Sequence, residues 1–355
     1  MINRISKVPI IDELRKKKKI GGEFEIELAN LNNFEYTKED YENVLFSNGR
    51  SALKYLLQFL KKNKRTTIHL PYYICPSVVL ACKSEGYKVK FYELDKNFMF
   101  PIEYVEKIEY NEILLTVNYF GFVNDNIVVT QVKEVREDIT IISDQVQSYW
   151  TLRNSEADFS FTSLRKHFSL PDGALIYSKN HSLSNPDLHE NLFFYSKLLG
   201  GILKSQKLPD DLYLYFFKKG EKIIDNSNNI TKASLLSHYL FDNLDFNQIS
   251  TRRKENYKFI YESNLKNEVE FVFDYRRDII PMNVPVKVKN RNNILEKLKD
   301  HGIFLPVHWN LGDYNNSSVI SKEMSKNEIS LIIDQRYTKL DMELQVEKIL
   351  NIIKK

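Results

Sequence analysis

Lys166 stands in the stretch DFSFTSLRKHFSLPDGALIY (residues 158–177). An alternating run precedes it, and a second strand-like run, GALIY, follows. A lysine in such a turn is ordinarily a solvated residue. Shielded in a cleft, its charged form is disfavoured, and the free amine becomes a nucleophile that can condense with an aldehyde. Asp144 is the second candidate. It closes the apolar run ITIIS in ISDQVQS, where a carboxylate can ligate a metal, act as a base or pair with a protonated ring nitrogen. No second carboxylate or histidine lies close to it in sequence, which argues against a metal. Its ordinary reading is a helix N-cap. The third candidate is SNGRSA (47–52) at the start of a helical pattern. Gly49 permits a tight turn. The amides of Arg50 and Ser51, the Ser51 hydroxyl and the helix dipole would then form an anion site. The plainer reading is a cap by Ser47 or Asn48.

The elements that must position these residues read as alternating strands and helices. SALKYLLQFLKK (51–62) puts Leu53, Leu56, Leu57 and Leu60 on one helical face. TTIHL, KVKFYEL, EILLTVNYF and ITIIS read as strands. PSVVLACKSEG reads as a helix that starts at Pro76 and stops at Gly86. This order predicts an α/β fold with a mainly parallel sheet. Ligands of such sheets sit beyond the strands' C-terminal ends, where Tyr72, Tyr73, Asn118 to Gly121, Asp144 and Lys166 all fall. Residues 186–262 read as mostly helical, and the tail mixes strands with helices. We expect a lead-in and large domain over 1–235 and a smaller α/β domain over 236–355. No internal repeat or low-complexity linker is visible.

The chain has 355 residues, 43% of them hydrophobic, enough for a large core. Its net charge of +4 is too small to imply nucleic acid. The run RKKKK (15–19) reads as a solvated face, because no aromatic or further basic cluster follows it. Two cysteines, Cys75 and Cys82, form no disulfide or zinc pattern. Neither a signal peptide nor an apolar run of membrane-spanning length is evident. The expectation is a cytoplasmic protein with no membrane or nucleic-acid partner and no metal.

A phosphate cradle, a ring-nitrogen aspartate and an aldehyde-capturing lysine, in this chain order, are the set that pyridoxal 5′-phosphate (PLP) requires. Over nearly its whole length the chain resembles the DegT/StrS-type sugar aminotransferases, PLP enzymes of fold type I. SNGRSAL is similar to that family's phosphate-binding helix start, LPYYICPSVVLACKSEGYKVKFYELD to its following block, NYFGF to a strand-end segment, ISDQVQS to its ring-facing motif and SLRKHFSLPDGA to its lysine segment. RRKENYKFIYE, GIFLPVHW and ISLIIDQRYTKLDM resemble its C-terminal blocks.

The resemblance implies Lys166 as the catalytic lysine, Asp144 at the pyridine nitrogen, Gln147 near the ring hydroxyl, and Gly49, Arg50 and Ser51 at the phosphate. Cys75 stands where the family stacks an aromatic, so Tyr72 or Tyr73 could take that role. A one-residue shift in the lysine loop leaves both Ser160 and Ser163 as phosphate contacts. Asn226 or Asn228 would reach the phosphate of a partner subunit, which implies a homodimer. His308 and Tyr119 are implied at the substrate. The donor implied is glutamate or glutamine and the acceptor a nucleotide-linked keto-sugar of surface polysaccharide or glycoconjugate synthesis. Family relatives that eliminate a sugar hydroxyl carry histidine at the lysine position, so Lys166 argues for amino transfer. His167 and Arg336 read as more ordinary structural residues.

Overall fold

The computed structural model describes residues 18–26, 45–179, 183, 188–309, 311 and 318–354. Arg15 to Lys17 of the basic run lie outside them. Lys18 and Lys19 lie inside, and their amines pair with Asp341 and Asp210.

β1 (Ile20–Gly21) precedes the first described helix, α1 (Gly49–Lys61). β2 (Thr67–Pro71), α2 (Pro76–Ser84), β3 (Lys88–Tyr92), β4 (Ile113–Val117), α3 (Asn126–Val135), β5 (Thr140–Asp144), β6 (Phe159–Ser163) and β7 (Ala174–Tyr177) come next. These strands build a six-stranded sheet in the order β3-β2-β4-β5-β6-β7. All neighbours are parallel except β6 and β7. Every residue of β4 and β5 is buried, as expected for central strands covered on both faces. α1 lays its predicted stripe of Leu53, Leu56, Leu57 and Leu60 into the core. α2 begins at Pro76, where a missing N–H costs nothing, and Gly86 follows its end at φ +76°.

The helical reading of 186–262 resolves into α4 (Phe193–Ser205), α5 (Asp210–Asn226), α6 (Leu235–Asp242) and α7 (Phe246–Glu262). α4 and α5 pack closely. A Cβ at Gly220 would stand 2.9 Å from Cε of Lys197, so only glycine lets the Lys197 stem lie across α5. The C-terminal part holds β8 (Glu270–Phe271), β9 (Val284–Lys287), α8 (Arg291–Asp300), β10 (Ile303–Phe304), α9 (Val319–Asn327), β11 (Glu328–Leu331) and α10 (Lys339–Ile353). β11, β9 and β8 form an antiparallel sheet, and β1 pairs with β10. Strand expected over GIFLPVHW is reduced to two residues, because the chain from Pro306 onward turns toward the large sheet, where the His308 carbonyl meets Tyr73.

Arg253 on α7 joins the two parts. It is buried, and its guanidinium donates to the carbonyls of His167 (3.0 Å) and Met282 (3.2 Å) and to Gln335 (2.9 Å). The first of these bonds clamps the turn that carries Lys166.

Candidate active site

The C-terminal ends of β4, β5 and β6 lie side by side, with Val117 opposite Asp144 and Asp144 opposite Phe161. A cavity of about 420 Å³ opens there. Gly49, Arg50, Cys75, Asp144, Gln147, Ser163 and Lys166 all line it. Seven residues singled out from separate stretches of sequence therefore meet at one place.

Asp144 is buried, and its Oδ1 accepts the Val146 amide at 2.9 Å. Burial pushes its pKa up to about 6; the Val146 bond and the Lys166 charge pull it down, and Asp125 pushes it up. Asp125 lies behind it as a second buried carboxylate, accepting from Thr116 (2.9 Å), Gln145 (3.1 Å) and Ser143. Lys166 ends a short turn, Leu164–Lys166, directly after β6. Among the described residues its amine has no hydrogen bond or ion pair.

Gln147 is oriented by an unusual backbone. After β4, Phe120 adopts φ +55°, a conformation uncommon for a bulky residue. Its amide then donates to Gln147 Oε1 at 3.0 Å. Gly121 continues the bend at φ +85°, where a Cβ would meet Pro281 Cα at 3.1 Å. Gln147 Nε2 is left buried with no partner among the described residues. A buried amide N–H without an acceptor is costly, so this orphan donor on the cavity wall fits a ligand that brings an oxygen.

The helix start behaves differently from the simplest expectation. Asn48 is the cap, and its side chain accepts the Ser51 amide at 3.0 Å. That amide is therefore spent, and the Gly49 and Arg50 amides are left at the helix start without an intrahelical partner. The Ser51 hydroxyl faces Thr231 at 3.3 Å. Ser51 and Asn228, with Asn226, line an adjoining cavity of about 960 Å³ that shares Asn48, Arg50 and Ile224 with the first. Of the two serine alternatives, Ser163 lines the 420 Å³ cavity, while Ser160 is fully buried inside β6.

Tyr73 and Tyr119 are not brought to the wall either. Both are fully buried and stack on each other with ring centroids 5.5 Å apart. The Tyr73 hydroxyl bonds the His308 carbonyl, and the Tyr119 hydroxyl bonds the Tyr73 carbonyl at 2.5 Å. Tyr72 stacks on Phe91 instead. The chain after β2 turns these rings into the joint between the large sheet and the 305–309 segment. Cys75 and Trp309 line the cavity in their place.

Lys166 also lines a second cavity of about 250 Å³, together with His308, Arg165 and Arg336. There, His308 is held on three sides. Its amide donates to Glu328 Oε2 at 2.7 Å, its ring meets Phe120 edge-on, and its Nδ1 lies 3.0 Å from Ser330 Oγ. Ser330 Oγ donates to Glu328 Oε1 at 2.5 Å, so it accepts from His308 Nδ1–H, leaving Nε2 as the free acceptor. Arg336 is an ion-pair residue, forked on Asp334 (2.8 and 2.9 Å) and stacked 4.1 Å over Phe24. His167 is structural too. Burial drives its pKa down to about 3, and Nε2 donates to the Val146 carbonyl at 2.9 Å.

The sequence reading missed Arg165, Glu23 and Glu221 at these cavities. The charge next to Lys166 was visible in SLRK, but nothing local signals that α5 delivers Glu221.

No protein-family model and no curated protein sequence matches the chain. Solved structures do. Spr1654 from Streptococcus pneumoniae in its PLP form superposes with a TM-score of 0.63 at 16% identity, over 88% of this chain and 87% of that one. The DegT DnrJ EryC1 StrS aminotransferase from Brucella abortus gives 0.61 at 14%, over 88% and 86%. A NifS-like protein gives 0.57 at 15%, over 88% and 82%. The fold is shared with these structures: a mainly parallel sheet flanked by helices.

Proposed function

We propose that this chain is a PLP-dependent aminotransferase with Lys166 as its catalytic residue. The observation that carries the reading is the convergence, on one cavity, of an unpaired lysine amine, a buried aspartate at about pKa 6 and an orphaned glutamine donor. These residues fit PLP. Asp144 would hold the ring nitrogen, Gln147 Nε2 the ring hydroxyl, and the Gly49 and Arg50 amides with Ser163 the phosphate. Bound PLP supplies an aldehyde that carries the amino group and a ring that withdraws electrons.

The chain's own residues do the rest. The Lys166 amine would anchor the cofactor through its aldehyde. Once free, that amine would be the base at the donor's Cα and the acid that delivers the proton to the carbon on the far side of the shared nitrogen. The Asp144 carboxylate would hold a proton at the ring nitrogen, and a cation there would keep it ionised despite its burial. Trp309, Cys75 and Val78 give this cavity an apolar wall that would shield the bound molecule from water.

The finer reading is glutamate or glutamine as donor and a nucleotide-linked keto-sugar as acceptor, serving surface polysaccharide or glycoconjugate synthesis in the cytoplasm. His308, through Nε2, would meet the substrate. A homodimer would supply Asn228 to the partner's phosphate site, and a division into domains near residue 235 would let the cleft form between them. The NifS-like neighbour marks the competing reading, another PLP reaction on a non-sugar substrate, because the fold serves both.

The test is the visible spectrum of purified protein with PLP, before and after borohydride, with peptide mapping. A band trapped on the peptide that contains Lys166 supports the cofactor and its anchor. A colourless, unmodified protein sinks both. Assay of aminated against deoxygenated product then separates the reactions.

A further inference from the structure

Among the described residues, three on the wall of the 420 Å³ cavity carry a buried N–H donor with no partner: Arg50 Nε, Gln147 Nε2 and Arg165 Nε. Arg50 turns its other nitrogens outward, to the Ile224 carbonyl (3.0 Å) and Asp225 (3.0 Å). Arg165 is different, because it lines both cavities that share Lys166. Its Nη1 donates to Glu221 at 3.0 Å. Glu221 also accepts from Lys197 at 2.6 Å, and the same amine reaches Glu23 at 2.6 Å. The Lys197 side chain is 2% exposed. These four side chains form a chain of alternating charge that holds the guanidinium plane beside Lys166.

Two carboxylates, Glu23 and Glu221, thus serve Arg165 and Lys197. Burial opposes the charge on Arg165, but Glu221 and Glu23 more than restore it, so the group stays ionised. Leaving a charged, buried N–H without an acceptor is expensive. The planar fork and its unpartnered Nε–H match an oxyanion.

We propose that Arg165 is the anion-binding side chain of the Lys166 cleft, taking a phosphate or carboxylate oxygen of the bound molecule. Glu221 and Lys197 are its positioning residues. The proposal rests on the PLP reading for the identity of the ligand: the oxyanion is either the cofactor's phosphate or the donor's carboxylate. The α4–α5 hairpin is what makes the arrangement possible, since Gly220 admits Lys197 and the next residue is Glu221.

The full-length apoprotein is titrated with PLP and with pyridoxal, which lacks the phosphate, and glutamate kinetics are measured on the loaded enzyme. If Arg165 faces the phosphate, Arg165→Met weakens PLP about ten- to hundredfold and leaves pyridoxal unchanged. If it faces the donor, both cofactor affinities hold, and the KM for glutamate rises about tenfold at constant kcat. A merely structural role would weaken PLP and pyridoxal alike, and that result overturns the proposal. So does a variant equal to wild type in all three measures, which would mean that a water satisfies Nε. Arg165→Lys keeps the charge but loses the fork, and should fall between. Melting curves confirm folding, and if Arg165→Met does not fold, Arg165→Lys carries the comparison. Should the wild type bind no PLP, the functional reading fails separately. Inorganic phosphate is then the probe: melting raised by phosphate in wild type but not in the variant upholds Arg165, and equal shifts overturn it.

Discussion

Two buried carboxylates lie on the same sheet in opposite circumstances. Glu112, just before β4, accepts from His69 (2.7 Å), from Lys90 (2.9 Å) and from the Glu109 amide (2.9 Å). Burial alone would raise its pKa, but these bonds hold it at about 2. The other His69 nitrogen meets Tyr104 at 3.3 Å. No buried polar side-chain atom of His69 or Glu112 is orphaned. Asp144, at the opposite end of the neighbouring strand, has one hydrogen bond to its carboxyl and a pKa of about 6, with orphaned donors around it. Burial and charge are common to both. What separates a structural cluster from a candidate site is saturation: the first is complete, and the second waits for a partner.

The largest expected effect tests that contrast directly. Lys166→Ala should lower turnover by about 10⁴-fold or more and abolish borohydride-trapped label, with the melting temperature nearly intact. Stopped assays and mass spectrometry check it, and an active variant would break the mechanism.

Asp144→Asn should cost about 10²-fold or more in turnover yet stabilise the apoprotein. Its folded pKa is raised, so the folded state holds a proton that the unfolded chain has released. Stability therefore falls as pH rises from about 4 to about 6 and stays lower above that. Removing the acid should return about 3 kcal/mol at pH 7.5 and nothing below pH 4. Glu112→Gln should do the reverse. The folded pKa of Glu112 is depressed, so its contribution is present above the normal carboxylate pKa of 4.5 and disappears as pH falls toward 2. The variant should lose about 2 kcal/mol at neutral pH, with turnover per folded molecule unchanged. Urea titrations at pH 4 and 7.5 measure both; equal signs would dissolve the comparison.

Gly220→Ala should destabilise by about 1–2 kcal/mol, because the new Cβ meets the buried Lys197 stem. PLP affinity should fall with it if Lys197 positions Glu221 and Arg165. The smallest effect is expected at Gln147. Gln147→Ala removes one neutral donor and should weaken PLP by about fivefold, read by titrating the apoprotein.

Much of this architecture was legible before the fold. α1 and its leucine stripe, the Pro76 helix start, the alternation of strands and helices, and the placement of Asp144 and Lys166 beyond strand ends came from short-range pattern. Periodicity and capping depend on neighbours a few residues away. The lysine loop was less clear, since two serines fitted equally; β6 ends at Ser163 and settles which of them reaches the wall. Tyr73 shows where pattern stops helping. It comes after a strand end just as Asp144 does, but the turn after Pro71 sends its ring into the joint with His308.

The sequence by itself therefore determined the class of fold, the ends of strands and the residue types offered there. Only the tertiary structure decided which offers point into the cavity. It turned Gln147 by way of the Phe120 bend, spent the Ser51 amide on Asn48, fixed His308 through Ser330 and Glu328, and brought Glu221 across from α5 to Arg165. The physical reason is reach. Local spacing specifies a face, while the direction of a side chain past a strand end is set by a few backbone dihedrals and by partners scores of residues away.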